Sequence, residues 1–101
     1  MSARTRLPNR RSSETFYLEF HSMKYKVTVG RFFPDGLPCE VFISNHKAGN
    51  ASDVAARDAG ILLSLLLQHG CQIETISRAI SRNADGSASG VIGAVLDRVM
   101  G

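Results

Sequence analysis

Residues 61–67 constrain the fold more than any other part of the chain, because on a helix they are apolar on every side except at Ser64. A helix that is hydrophobic all round has to be buried on both faces. Gly70 follows at the position where glycine commonly ends a helix. We therefore predict a long helix that ends at His69 and is covered by a sheet on one side and by a second layer on the other.

The spacing of the apolar residues predicts how this helix is oriented. We predict Ser52 as its N-cap and an ion pair between Asp53 and Arg57, which are four residues apart. The stripe predicted to face the core consists of Val54, Ile61, Leu62 and Leu65. Leu63 and Leu67 then face outward, and we predict them as an interface covered either by the chain's own C-terminal helices or by a second copy.

Three segments before the helix have the alternation of apolar and polar side chains that is typical of half-buried strands: residues 15–21, 24–32 and 39–45. Only a hairpin fits between the first two, and residues 33–36 (FPDG) favour a turn between the second and third. The pattern predicts a three-stranded antiparallel meander.

Two shorter helical patterns follow the long helix. Isoleucines at positions 73, 76 and 80 predict one helix, and apolar residues at 92, 95, 96 and 99 predict another, which Ser87 or Ser89 would cap. We therefore assign the chain to the α+β class, as a three-stranded antiparallel β-meander followed by and packed on two to three helices.

The net charge of +3 originates in the first residues of the chain. Residues 1–13 contain four arginines and no acid, whereas residues 14–101 contain eight basic and nine acidic side chains. We interpret residues 1–13 as a basic disordered tail and residues 14–101 as one domain. The arginines keep open a second function, a nucleic-acid-binding protein that uses this arm, although the arm has no aromatic side chain on which a base would stack.

The sequence predicts a cytoplasmic protein without a membrane segment. No apolar run approaches the ~20 residues needed to cross a bilayer. The N-terminus also lacks the apolar centre of a signal peptide.

The sequence offers little for catalysis or for binding a metal. Cys39 and Cys71 belong to no Cys-x-x-Cys pair, and His21, His46 and His69 are scattered along the chain. Structural and catalytic metal sites need several such ligands at short spacings. We therefore predict no metal site and no catalytic residue.

The best candidate for a binding site is the polar segment before the long helix. The backbone N–H groups at the start of a helix favour anions. The candidate residues are Asn45, His46, Lys47, Asn50 and Ser52. We expect at most weak binding of phosphate or of a nucleotide phosphate, and a capped loop with a solvated lysine is the alternative.

Taken in order, several segments of the chain resemble the TSCPD domain. They are residues 25–30 (YKVTVG), 33–36 (FPDG), 40–44 (EVFIS), 47–52 (KAGNAS) and 65–70 (LLLQHG). The resemblance extends over residues 15–98. One departure is clear: the Thr-Ser-Cys-Pro-Asp sequence that names the family corresponds here to residues 86–90 (GSASG), without cysteine or proline.

The resemblance implies a link to ribonucleoside-diphosphate reduction, because the TSCPD domain occurs in small standalone proteins and near the C-terminus of adenosylcobalamin-dependent ribonucleotide reductases. The reductase reaction needs a large barrel, a radical cysteine and a reducing cysteine pair, which do not fit in 101 residues. We therefore expect an accessory or binding module for deoxyribonucleotide synthesis that is not catalytic by itself. It would bind no cofactor and meet adenosylcobalamin only through a reductase partner.

Overall fold

The computed structural model describes residues 12–33, 35–47 and 49–101 of the chain. Three strands form one antiparallel sheet in the order β1-β2-β3, and three helices follow it. The elements are β1 (Ser12–Phe20), β2 (Met23–Arg31), β3 (Pro38–Asn45), α1 (Ala51–Gln68), α2 (Ile73–Ala79) and α3 (Val91–Met100). The predicted α+β meander is confirmed.

The predicted boundary of the N-terminal tail needs a correction. Ser12 and Ser13 belong to β1 and pair with Arg31 and Gly30 of β2, so the domain begins at least two residues earlier than predicted. The arginines of the predicted tail lie outside the described residues.

The connection between β1 and β2 is a two-residue hairpin, as the sequence predicted. Phe20 pairs with Met23, and His21 and Ser22 between them have φ angles of 49° and 65°. Two successive positive φ values match the twist of the flanking strands.

The core lies between the inner face of the sheet and the helices. The central strands contribute Tyr25, Val27, Val29, Val41 and Ile43, and α3 contributes Val95 and Leu96. The alternation predicted for the strands is therefore confirmed. Among the described residues, no helix is long and apolar enough to cross a membrane.

The predicted orientation of α1 is wrong. Leu63 and Leu67, predicted to face outward, are 3% and 7% exposed and belong to the core. The stripe predicted to face the core is exposed instead: Val54, Ile61, Leu62 and Leu65. The physical reason is that α1 lies along the edge of β3. On this side the helix needs polar side chains that bond the backbone of β3 and small ones that permit a close approach, as well as apolar ones.

Side chains of α1 bind the backbone at the edge of β3. The Val41 N–H donates to Ser64 Oγ at 2.8 Å, and the same hydroxyl lies 3.0 Å from the Val41 carbonyl oxygen. Gln68 Nε2 donates to the Cys39 carbonyl oxygen at 3.0 Å. At the other end of the strand, the Asn45 N–H donates to Asp53 Oδ1 at 2.9 Å. An edge strand presents backbone groups that can pair with other chains, and α1 covers this edge.

Both ends of α1 have identifiable caps. The N-cap is Asn50, whose side chain accepts from the Asp53 N–H, so the prediction of Ser52 is wrong by two residues. At the C-terminus, Gly70 has φ of 89° and its N–H donates to the Leu67 carbonyl, while the Cys71 N–H donates to that of Leu66. These two bonds form a Schellman motif, and the predicted role of Gly70 is confirmed.

The capping predicted for the last helix is also wrong. The N-cap of α3 is Gly90 and makes no side-chain hydrogen bond, whereas Ser87 and Ser89 lie in the preceding loop. In that loop Ser89 Oγ donates to Asn83 Oδ1 at 3.1 Å, and Asn83 Nδ2 donates to Ser87 Oγ at 3.0 Å. The two serines thus form hydrogen bonds within the loop and do not cap the helix.

Candidate functional site

The segment between β3 and α1 is organised around the buried carboxylate of Asp53. Oδ1 accepts from the Asn45 N–H, and Oδ2 accepts from the Gly49 N–H and from Arg57 Nε, each at 2.9 Å. The predicted Asp53–Arg57 ion pair is therefore present. The hydrogen bonds from Gly49, Arg57 and Asn45 lower the pKa of Asp53 from 3.8 to about 2.

This carboxylate occupies part of the site predicted for an external anion. The N–H groups of Gly49 and Asp53 are already bonded to Asp53 and Asn50. An anion at a helix start is stabilised by such donors, and here a side chain of the protein supplies the negative charge. These two donors are therefore not open to an external anion.

The five predicted anion-binding residues lie in the loop between β3 and α1 or at the adjoining ends of these elements, and they have different roles. Asn45 is buried, and its Oδ1 accepts from the Lys47 N–H at 2.9 Å. Asn50 is the N-cap, and Ser52 lies in the first turn of α1. His46 and Lys47 are exposed. Anion binding at these two side chains stays a prediction.

A second feature is the outward side of α1. We define the α1 outer face as the apolar side chains that are between 36% and 62% exposed: Val54, Ile61, Leu62, Leu65 and Leu66. Asp58 lies among these side chains, one turn after Val54 and one turn before Ile61 and Leu62, and it is also exposed, so its charge is not buried.

The α1 outer face is continuous with exposed side chains on the solvent side of β3. A surface depression of about 430 Å³ is lined by Ile61 and Arg57 of α1 and by Phe42 of β3, among others. Phe42 is on the solvent side of β3 and is 51% exposed. Apolar groups of the helix and the sheet thus border one concave area.

A third feature is an apolar groove beside the β2–β3 loop. The groove has a volume of about 320 Å³. Its lining includes Phe32, Leu37, Leu67, Cys71 and Ile73. We call this the loop groove. Phe33 beside it is 79% exposed and Leu37 is 59% exposed.

Cys39 is fully buried and Cys71 half-buried, and the two do not form a disulfide. The described parts of the chain hold no cluster of three or more histidine, cysteine or acidic side chains suited to a metal ion.

The loop before α3 stands where the family motif has Cys-Pro. Residues 86–90 form a turn in which Asp85 Oδ1 accepts from the Ser87 N–H at 2.9 Å. Nearby, Arg82 bonds both carboxylate oxygens of Asp97, at 2.8 and 2.9 Å, and so connects this loop to α3.

The sequence analysis did not identify Asp53, Ser64 and Gln68 as the side chains that bind the edge of β3, because hydrophobic periodicity places only apolar side chains on the buried side of a helix. A signal for them exists in the sequence. Ala56, Gly60 and Ser64 are small residues spaced four apart, which places them in a row on one side of the helix and permits a close approach of backbone.

Comparison with known proteins gives one finding. The family model described as the TSCPD domain matches residues 2–100, nearly the whole chain. No curated protein and no solved structure matches the chain.

Proposed function

Because the chain belongs to the TSCPD domain family, we propose that it is a small accessory module that binds a ribonucleoside-diphosphate reductase and serves deoxyribonucleotide synthesis without catalysing the reduction itself. The family match carries this proposal, since TSCPD domains occur in reductase-related proteins. A cytoplasmic location and a reductase subunit as the partner are parts of the same proposal.

The arrangement of the two thiols supports a binding role. Ribonucleotide reduction consumes two electrons from a cysteine pair, so two thiols have to reach one another and the substrate. Cys39 is fully buried at the edge of β3, where Gln68 bonds its carbonyl oxygen, whereas Cys71 lies at the junction of α1 and α2. Cys71 is partly exposed and lines the loop groove.

The loop groove is the surface that we assign to the reductase. The β2–β3 loop that borders it is held by internal hydrogen bonds: the Phe32 N–H donates to the Leu37 carbonyl at 2.8 Å, and Arg31 Nη1 donates to the Gly36 carbonyl at 3.0 Å. The Leu37 N–H also donates to Asp35 Oδ1 at 3.1 Å. A loop that is held in this way and still exposes Phe33 and Leu37 loses little conformational entropy on binding. An apolar peptide segment of the reductase is the occupant that this surface fits.

The test is direct binding to a purified adenosylcobalamin-dependent reductase from the same cell. We expect immobilised chain to retain the reductase, and Leu37→Glu to weaken that binding at least about tenfold, because a charge enters the centre of the apolar surface. Lys24→Glu, a surface change on β2 away from the groove, is the control and should bind like the unaltered chain. Circular dichroism of each variant verifies the fold.

Two results would overturn the proposal. One is the absence of binding to the reductase at about 0.1 mM chain, a concentration at which even weak specific contacts are populated. The other is retention of nucleic acid in place of the reductase, which would favour the Arg-rich arm as the functional element. Reduction of a ribonucleoside diphosphate by the isolated chain with a dithiol and adenosylcobalamin would contradict the non-catalytic part.

A further inference from the structure

The α1 outer face exposes aliphatic surface that the fold itself leaves uncovered. Five aliphatic side chains, at least a third exposed and four of them within residues 61–66, amount to roughly 400 Å² of apolar surface. The largest apolar patch of a monomeric protein typically measures about 300–600 Å² and is often functional, so this face is a candidate interaction site. Among the described residues, α2 and α3 do not cover this side of α1.

The closed edge of β3 limits what can bind there. Because Asp53, Ser64 and Gln68 already bond the backbone of β3, a partner strand cannot extend the sheet at this edge. A partner therefore has to contact side chains of the helix. The first 13 residues of the chain supply little for this purpose, since they contain only one leucine and one methionine as large aliphatic residues.

A second copy of the same chain fits this face. The aliphatic side chains, with Phe42 and Arg57 beside them and Asp58 among them, expose roughly 700–800 Å² per chain, which is close to the area that a standard interface buries on each partner. Residues 61–66 of this face carry no charge, and an apolar core of this kind is typical of homodimer interfaces.

The position of Asp58 favours one of the two ways in which the α1 helices of two chains can pack. In a parallel pair the two carboxylates would lie side by side. In an antiparallel pair whose twofold axis passes near Leu62, each Asp58 lies about 6 Å from the axis along the helix, so the two charges are at least about 12 Å apart. That separation exceeds the distance over which exposed charges interact at physiological salt.

We propose that this protein forms a twofold-symmetric homodimer in which the α1 outer faces of two chains pack antiparallel. The inference is independent of the reductase proposal, because it concerns a different surface and needs only the purified chain.

The test is the mass of the chain in solution, measured by sedimentation equilibrium up to about 0.1 mM. We expect a dimer, and we expect Leu62→Glu to raise its dissociation constant at least about 30-fold, as for a central interface residue. Leu37→Glu is the matched control, since it makes the same change at a leucine of similar exposure, 59% against 62%, on another surface. It should leave the dimer intact.

A cross-linking experiment gives an answer even if the glutamate variant fails to fold. Leu62→Cys in a Cys71→Ser background should form a covalent dimer on mild oxidation, because residues beside a twofold axis approach within the distance of a disulfide. Leu37→Cys in the same background should not. A monomer at all concentrations, or a dimer that Leu62→Glu leaves unchanged, would overturn the proposal.

Discussion

Gly60→Ala tests how closely α1 lies against the edge of β3. In an isolated helix, alanine is more favourable than glycine by roughly 1 kcal/mol. At this position, a Cβ atom would lie 2.9 Å from the Val41 carbonyl oxygen and 3.2 Å from the Ile43 amide nitrogen. Both neighbours are backbone atoms of a paired strand, so the helix has to move outward.

The expected size of the effect follows from two costs. Forcing a methyl group into a packed contact costs about 1–3 kcal/mol. The outward movement also stretches the 2.8 Å hydrogen bond between Ser64 and Val41, and weakening such a bond costs up to about 1 kcal/mol. Taken at their midpoints, the two costs come to about 2.5 kcal/mol; after the helix-propensity gain of about 1 kcal/mol is subtracted, we expect the free energy of unfolding to fall by about 1–2 kcal/mol, or the melting temperature by about 5–10 °C.

Urea unfolding followed by circular dichroism measures this change. Gly93→Ala is the matched control, because a Cβ there meets the side chain of Ala88 in a loop, at 3.1 Å, and a small shift of the loop relieves the contact. We expect the control to lose less stability than Gly60→Ala. A Gly60→Ala protein as stable as the unaltered chain, or more stable, would refute the close approach of α1 to β3.

Three further predictions concern the same region. Ser64→Ala should cost about 2–3 kcal/mol of unfolding free energy in urea, because it leaves a buried backbone N–H without a partner, whereas Ser81→Ala at an exposed position should change it by less than about 0.5 kcal/mol. The lowered pKa of Asp53 means that its ionised form stabilises the fold fully above about pH 4, and that this contribution is lost as the pH falls from 3.8 towards 2. Unfolding free energies measured from about pH 5 to 2 should therefore depend less on pH in Asp53→Asn, and an unchanged slope would contradict the role of this carboxylate. Finally, an NMR titration should show at most millimolar phosphate binding at residues 46–54 that Lys47→Ala abolishes; shifts spread over the arginines of residues 1–13 instead would show that the loop is only a cap.

The sheet could be predicted from the sequence because its signals are local. Alternation with a period of two places Tyr25, Val27 and Val29 on one face. That face packs against the helices through apolar side chains, so the pattern that predicts the strand also predicts its buried side. The turn at Gly36, with φ of 76°, follows the same logic, since glycine tolerates that angle without strain.

The orientation of α1 could not be predicted by the same reasoning. Hydrophobic periodicity assumes that the buried side of a helix faces an apolar surface. Here the buried side meets the edge of a strand, whose backbone groups require hydrogen bonds, and Asp53, Ser64 and Gln68 supply them. The predicted anion site depends on the same carboxylate, because the Gly49 N–H already bonds Asp53 and only His46 and Lys47 remain as candidate ligands for an external anion.

The polar inner side of α1 and its apolar outer side have one physical origin. Closing the edge of β3 uses positions 53, 64 and 68 for hydrogen bonding and positions 56 and 60 for close approach, so only Leu63 and Leu67 contribute large apolar groups inward. The remaining aliphatic residues of the helix are left on the surface, where a second chain covers them in the proposed dimer.

That dimer would carry two loop grooves, one on each chain. Two grooves that engage two copies of a reductase segment raise the overall affinity through effective concentration, without any new contact, so a weak single-site interaction at Leu37 is compatible with stable association of the pair.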